Sequence, residues 1–310
     1  MSFDGNFTSI CDIELWNQPV QQYHVGALLV FITLLPNSFI NIYFLYFSLK
    51  NNYLMKHKFL QYNIIIFSCE YLLAGGNTML LEGQYLYAYF TSTKIHFWSC
   101  AILRTLQQFT LFPIATSTFL LALQRFFIIA WSMKLQWNVL FLFFIIISSP
   151  SYINVYLTIF KSKYVIFNEI CTFYPVQTNI HLLYFTTFMT SFLPAMALFT
   201  NFFTFYLLKR KFKLLKNVSK YEDHKRVLIN LSIQSLIPCL SNFPTFTCFF
   251  IQIYTHKQIP YLVWRITDVF HYIQYSTSTF ITLMSIKEIK KSFFTKLLSF
   301  KKIILGSLKK

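Results

Sequence analysis

Seven stretches of this chain run for about 20 residues or more with hardly a charge in them, at residues 25–48, 59–82, 100–123, 136–160, 180–208, 227–254 and 261–286. About 20 apolar residues in a helix cross the hydrocarbon core of a bilayer, and a helix satisfies its backbone polar groups without water. The pattern therefore predicts seven membrane-spanning helices. The first, fourth, fifth and sixth runs carry no Asp, Glu, Lys or Arg, while the second carries Glu70 and, at its last position, Glu82, the third Arg104, and the seventh Arg265 and Asp268. The fifth is long enough to continue as helix beyond the membrane face. Because the runs cover nearly all of the chain, the expected architecture is an all-α membrane protein, one seven-helix domain over residues 1–310.

Composition enters through what it excludes. With 55% apolar and 12% charged residues, a water-soluble domain of this size would lack charge for its surface. The net charge of +17 raises the question of nucleic acid, but the charges fall in short segments between the uncharged runs, as in membrane-protein loops, so no nucleic-acid partner is expected. Twenty-one Lys and Arg residues fall in one alternate set of connections, residues 49–58, 124–135, 209–226 and 287–310. Only four fall in the other set, residues 1–23, 83–99, 161–179 and 255–260. The positive-inside rule then predicts an outer N-terminus and a cytoplasmic C-terminus.

Residues 1–23 hold three acids and no Lys or Arg, unlike the basic start of a cleaved signal peptide, so the first span is expected to start insertion itself. The sequon Asn6-Phe7-Thr8 lies in the predicted outer segment and is a candidate glycan site; Asn217-Val218-Ser219 lies on the basic inner side and is not. Residues 286–310 alternate Lys with Phe, Leu and Ile, which predicts a short amphipathic basic helix on the lipids of the inner leaflet.

No catalytic pattern is present. The seven His are scattered without metal-ligand spacing, no two of the six Cys form a CxxC pair, and GxSxG, HExxH and phosphate-binding Gly loops are missing. Neither an enzyme, a metal nor a cofactor is expected.

Two residues frame the third span. Arg125 lies at its inner end in LALQRFFIIAW, and Cys100 lies 25 residues earlier in HFWSCAIL, roughly 37 Å away along a helix, enough to reach opposite membrane faces. Cys171, in FNEICTFYP, falls in the predicted second outer loop. Here the chain resembles the rhodopsin-like G-protein-coupled receptors, and more closely the nematode serpentine chemoreceptors, across all seven spans. Further points of similarity are Asn37 after Pro36, Pro194, and LSIQSLIPCLSNFP in the sixth span with Gln234, Pro238 and Pro244. Two features depart from the family pattern. Gln124 stands where the triplet ending the third span carries an acid, and STSTFITLMSIKEIKKSFF lacks an Asn-Pro-x-x-Tyr-like end.

The resemblance implies a chemosensory receptor of the plasma membrane, in a sensory neuron's cilium, that binds a small environmental chemical from outside and activates a heterotrimeric G protein. It also implies a Cys100–Cys171 disulfide and a G-protein-coupling role for Arg125. The basic third inner loop could serve as a docking surface, although the loop's charge is equally explained by topology and lipid contact. The rival class is a seven-span transporter or ligand-gated channel, which would place polar residues at the midplane of several helices; here only Glu70 is clearly central.

Pro36, Pro150, Pro194, Pro238 and Pro244 fall inside spans, where each removes a backbone hydrogen bond and kinks the helix. Pro238 is the candidate working hinge. Glu70 must face the bundle interior, either as an ion-binding carboxylate like that of related receptors or as a hydrogen-bonded neutral acid. Near the outer ends of their helices, Arg104, Gln107, Gln108, Thr187, Thr245, Arg265, Asp268, His271 and Tyr272 are the candidate lining of an outward-open cavity for a small, mostly apolar ligand. A plainer account exists for the charges: Arg265 and Asp268, three residues apart, can pair on one helix face, and Arg104 can snorkel to the interface.

Overall fold

A computed structural model describes residues 7–9, 16–19, 21–161, 164–166, 172–173, 176–215, 218–255 and 259–284, together with 290, 291 and 295. Seven long helices dominate: α1 (His24–Lys50), α3 (Lys58–Thr91), α4 (Phe97–Trp131), α5 (Trp137–Lys161), α6 (Val176–Leu215), α7 (Val218–Thr255) and α8 (Tyr261–Met284), with a short α2 (Asn52–Lys56) between the first two. Each corresponds to one of the seven apolar runs. Several outlast their runs: α3 continues to Thr91, and α6 and α7 extend to Leu215 and from Val218 across the basic segment. Ser92 and Ser132 end α3 and α4 in the left-handed conformation, with φ of 54° and 57°, turning their N–H groups back onto carbonyls of the last turn.

Successive long helices pack side by side, and α1 closes the ring against α8. Helix α4 touches α3, α5, α6 and α7. The outer faces carry large exposed apolar side chains such as Phe39, Leu80, Phe141, Phe199 and Phe243, far more apolar surface than a monomer exposes to water. Among the described residues, six helices are long and apolar enough to cross a membrane: α1, α3, α4, α5, and the stretches Tyr184–Lys211 of α6 and Val227–Gln252 of α7. Helix α8 does not reach that level of apolarity, because it gives positions to Arg265, Asp268, His271, Gln274 and the Ser and Thr of residues 276–279.

Among the described residues, five short strands lie at one end of the bundle. The strand β1 (Phe7–Ser9) pairs antiparallel with β4 (Tyr164–Ile166), which pairs with β5 (Thr172–Phe173). The strand β2 (Trp16–Asn17) pairs with β3 (Ile95–His96), and the Trp16 ring meets that of His96 edge-on. These pairings bring the N-terminal segment, the α3–α4 connection and the α5–α6 connection to the same end, and the α1–α3 and α4–α5 connections lie at the other. Asn6, Cys171, Asn217 and nearly all of the basic tail fall outside the described residues.

Polar side chains join α1 to α3 and to α8. Asn37 donates to the Tyr71 carbonyl at 3.2 Å, Asn41 donates to the Tyr275 carbonyl at 2.9 Å, and Thr279 donates to Asn41 Oδ1 at 2.8 Å. All of these side chains are buried, so in a dry interior each bond removes a large desolvation penalty. Gly75 lets α3 approach this spine: a Cβ there would lie 2.2 Å from Asn37 Nδ2.

Candidate functional site

Between α4, α5, α6, α7 and α8, toward the strand-bearing end, lies a cavity of about 300 Å³. It exists because the facing positions are small or kinked: Ala115 on α4, Ser151 on α5, Thr186 on α6, and Pro194 and Pro238 within α6 and α7 all border it. Leu111, Phe112, Val155 and Phe246 supply apolar wall.

The polar wall is organised in two groups. At one, Arg104 Nη1 donates to Gln107 Oε1 at 2.6 Å, Gln107 in turn donates to the Tyr272 hydroxyl, and Asp268 pairs with Arg265 at 2.9 Å. At the other, the His271 Nδ1–H donates to Asn242 Oδ1 at 2.6 Å, and Nε2 accepts from the Tyr275 hydroxyl at 3.0 Å. Of the residues singled out in the sequence, Arg104, Gln107, Thr187, Thr245, Asp268, His271 and Tyr272 border the cavity. Arg265 does not border it; it stands behind Asp268. Gln108 follows Gln107 on α4, but its side chain is outside the described ones.

Three kinds of residue were not foreseen. Ser151 and Asn154 on α5, Asn242 on α7 and Gln274 on α8 also border the cavity; nothing in the sequence sets them apart from the other uncharged polar residues of their helices. Glu82, only 1% exposed, lies on α3 in the field of Arg265 and Arg104, and its Oε2 has no hydrogen-bond partner among the described residues. Its signal was available, since a carboxyl at the edge of an apolar run is as notable as one in the middle. Pro113 is a further proline inside α4.

Glu70 stands away from the cavity wall. Its Oε1 accepts from the Ser117 hydroxyl at 2.5 Å, and Oε2 is buried without a hydrogen-bond partner among the described residues. No group of three or more His, Cys, Asp or Glu suited to a metal occurs among the described residues.

At the opposite end of α4, 21 positions from Arg104 and therefore roughly 30 Å away, Arg125 is 7% exposed with its guanidinium 5.4 Å from the Phe59 ring centroid. Gln124 beside it is fully buried, and neither amide atom has a partner among the described residues. Lys211 of α6 donates to the Ile129 and Ala130 carbonyls at 2.6 and 3.1 Å, binding the last turn of α4 with a cation. Cys100 is buried at the strand-bearing end of α4, and β5, which begins one residue after Cys171, packs against that helix.

No family model matches the chain, and no curated protein matches it. Among solved structures, the chain is similar to the crystal structure of squid rhodopsin, with a TM-score of 0.66 and 14% sequence identity over 87% of this chain and 79% of that one. At that identity the likeness is one of fold: this is a rhodopsin-like helical bundle.

Proposed function

We propose that the chain is a seven-span, G-protein-coupled chemosensory receptor, one domain over residues 1–310, that binds a small environmental chemical and activates a heterotrimeric G protein. The observation that carries this reading is the cavity of about 300 Å³, lodged among five helices of a rhodopsin-like fold at the end remote from Arg125. Its size suits a small ligand, and its mixed lining suits one with an apolar body and a polar head.

In this reading α8 is the seventh span, its polar face turned to the cavity and to α1. The strand-bearing end is outside, in keeping with the positive-inside rule, and carries the Asn6 glycan and a Cys100–Cys171 disulfide. The tail lies on the inner leaflet of the plasma membrane, in the cilium of a sensory neuron. Ligand seated against Thr187, Thr245 and Pro238 shifts α7 about its proline, and the shift is read at Arg125 by the G protein. The ligand need only bind the signalling arrangement better than the resting one. No catalytic step is part of the proposal.

The test is a calcium-response screen of volatile and water-soluble compounds on cells expressing the chain, repeated with Thr187→Trp and Ala115→Trp, which fill the cavity. A response that both variants abolish at unchanged surface level supports the reading. Responses that survive both variants would refute the cavity as the ligand site. Ligand-gated current through reconstituted protein without any G protein would favour a channel or transporter.

A further inference from the structure

The cavity wall displays two charges of opposite sign from different helices, Arg104 of α4 and Asp268 of α8. Behind each stands an opposite charge that is not part of the wall. Arg265, 7% exposed, holds Asp268 at 2.9 Å, and Glu82, 1% exposed on α3, lies in the field of both arginines. Two guanidiniums and two carboxyls from three helices thus gather at the head of an otherwise largely apolar chamber, a set whose formal charges cancel. The set is compensated as a whole but incompletely bonded. Arg104 Nε and Glu82 Oε2 are buried with no hydrogen-bond partner among the described residues, and Arg104 spends one nitrogen on Gln107. A guanidinium has five donors.

We infer that the cavity selects a compact zwitterion with an apolar side group, as in an α-amino acid bearing an aryl or branched hydrocarbon side chain. The inference rests on the cavity being the ligand site and adds the ligand's chemistry. A lone carboxylate entering here would find Arg104 but bring a third negative charge beside Asp268 and Glu82; a lone ammonium would bring a third positive charge beside the arginines. Either leaves a net charge buried in a poorly polarisable site, which is strongly unfavourable. A zwitterion adds no net charge. Its carboxylate accepts from the Arg104 guanidinium on the cavity wall, and its ammonium donates to Asp268. The side group then enters the chamber between Leu111, Phe112, Val155 and Phe246.

The test uses the full-length protein in lipid nanodiscs and four probes with one aryl body: phenylalanine, 3-phenylpropanoate, phenethylamine and 3-phenyl-1-propanol. Binding is read by calorimetry and by ligand-induced thermal shift. The expected result is phenylalanine bound at least ~10-fold more tightly than each of the others. Glu82→Gln and Asp268→Asn should each reverse the order in favour of 3-phenylpropanoate, because each removes one negative charge; Glu82→Gln does so without altering the wall. Should one variant fail to fold, the other keeps the reversal testable. The inference is overturned if a singly charged or neutral probe equals phenylalanine, if phenylalanine does not bind, or if a folded variant keeps the parental order. Such a failure leaves the receptor reading standing as long as Thr187→Trp abolishes responses to other compounds. Responses indifferent to Thr187→Trp refute that reading itself.

Discussion

Gly75→Ala adds one methyl group where α3 meets α1. The new Cβ would stand 2.2 Å from Asn37 Nδ2, 3.4 Å from Asn37 Cγ and 3.5 Å from Leu34 Cδ2. The first distance is more than an ångström inside van der Waals contact, so Asn37 or the whole helix must shift. Asn37 cannot swing away cheaply, because it is fully buried, donates to the Tyr71 carbonyl and accepts from Asn41 at 2.5 Å. Overpacking of this kind costs about 1–3 kcal/mol, and a buried hydrogen bond broken in the process adds about 1 kcal/mol. Gly76 is the internal control, since a Cβ there meets nothing within 4 Å; Gly76→Ala gains up to about 1 kcal/mol from helix propensity. Gly75→Ala gains the same propensity, so the pair should differ by the clash and the lost bond alone, about 2–4 kcal/mol, on the order of 3–6 °C in apparent unfolding temperature for a chain of this length. The assay is thermal unfolding of both purified variants in one detergent at one heating rate, with surface expression as the cellular readout. Equal unfolding temperatures, or Gly76→Ala the less stable, would refute the argument that Asn37 is pinned.

Four further outcomes are expected. Arg125→Lys and Arg125→Ala should reach the surface and bind ligand yet lose most G-protein activation, because an ammonium copies neither the planar donors nor the stacking on Phe59; parental signalling from Arg125→Lys would make Arg125 an anchor only. Lys211→Met should destabilise by about 1–2 kcal/mol through two lost charge-assisted bonds and speed amide exchange in the last turn of α4, with Lys211→Arg restoring protection. Cys100→Ser or Cys171→Ser should cut surface expression, since closing a loop of about 70 residues contributes about 4 kcal/mol in the chain-entropy account; peptide mapping that finds Cys100 bonded to Cys11 would redirect the pairing. Glycosidase should remove a glycan-sized mass that Asn6→Gln abolishes and Asn217→Gln does not.

The long helices were legible because hydropathy acts over some 20 residues at once, and each apolar run became a helix. The overrun of α6 was legible too, since its run was long enough to continue beyond the membrane face; those of α3 and α7 were not, since Gly83 to Thr91 and the basic start of α7 mix polar with apolar residues and stay helical through neighbouring turns. The strands at one end of the bundle were illegible for another reason: Phe7 pairs with Ile166, and a two- or three-residue strand carries no period to detect. At the cavity, the charged and aromatic residues near the helix ends could be picked from the sequence because charge in a span is rare. Asn154 and Asn242 could not, because an amide on an apolar helix acquires a role only when another helix faces it. Glu82 lay at the margin of a run, where a carboxyl is easily taken for part of a loop.

The bonds from Asn41 to the Tyr275 carbonyl and from Thr279 to Asn41 Oδ1 bridge 234 and 238 positions of sequence. A ribosome adding about 5–20 residues per second takes roughly ten to fifty seconds to cover that distance. Throughout that interval α1 is in place with the Asn41 amide able to reach only its own helix, at the Asn37 carbonyl 3.0 Å away and the Asn37 side chain. Biogenesis therefore has an order: α1 can dock on α3 early, through Asn37 and the Tyr71 carbonyl, but only the arrival of the final helix seals the ring. A nascent chain stopped before Tyr275 is left with an open seam along α1, where a quality-control factor that recognises polar groups in lipid can hold it.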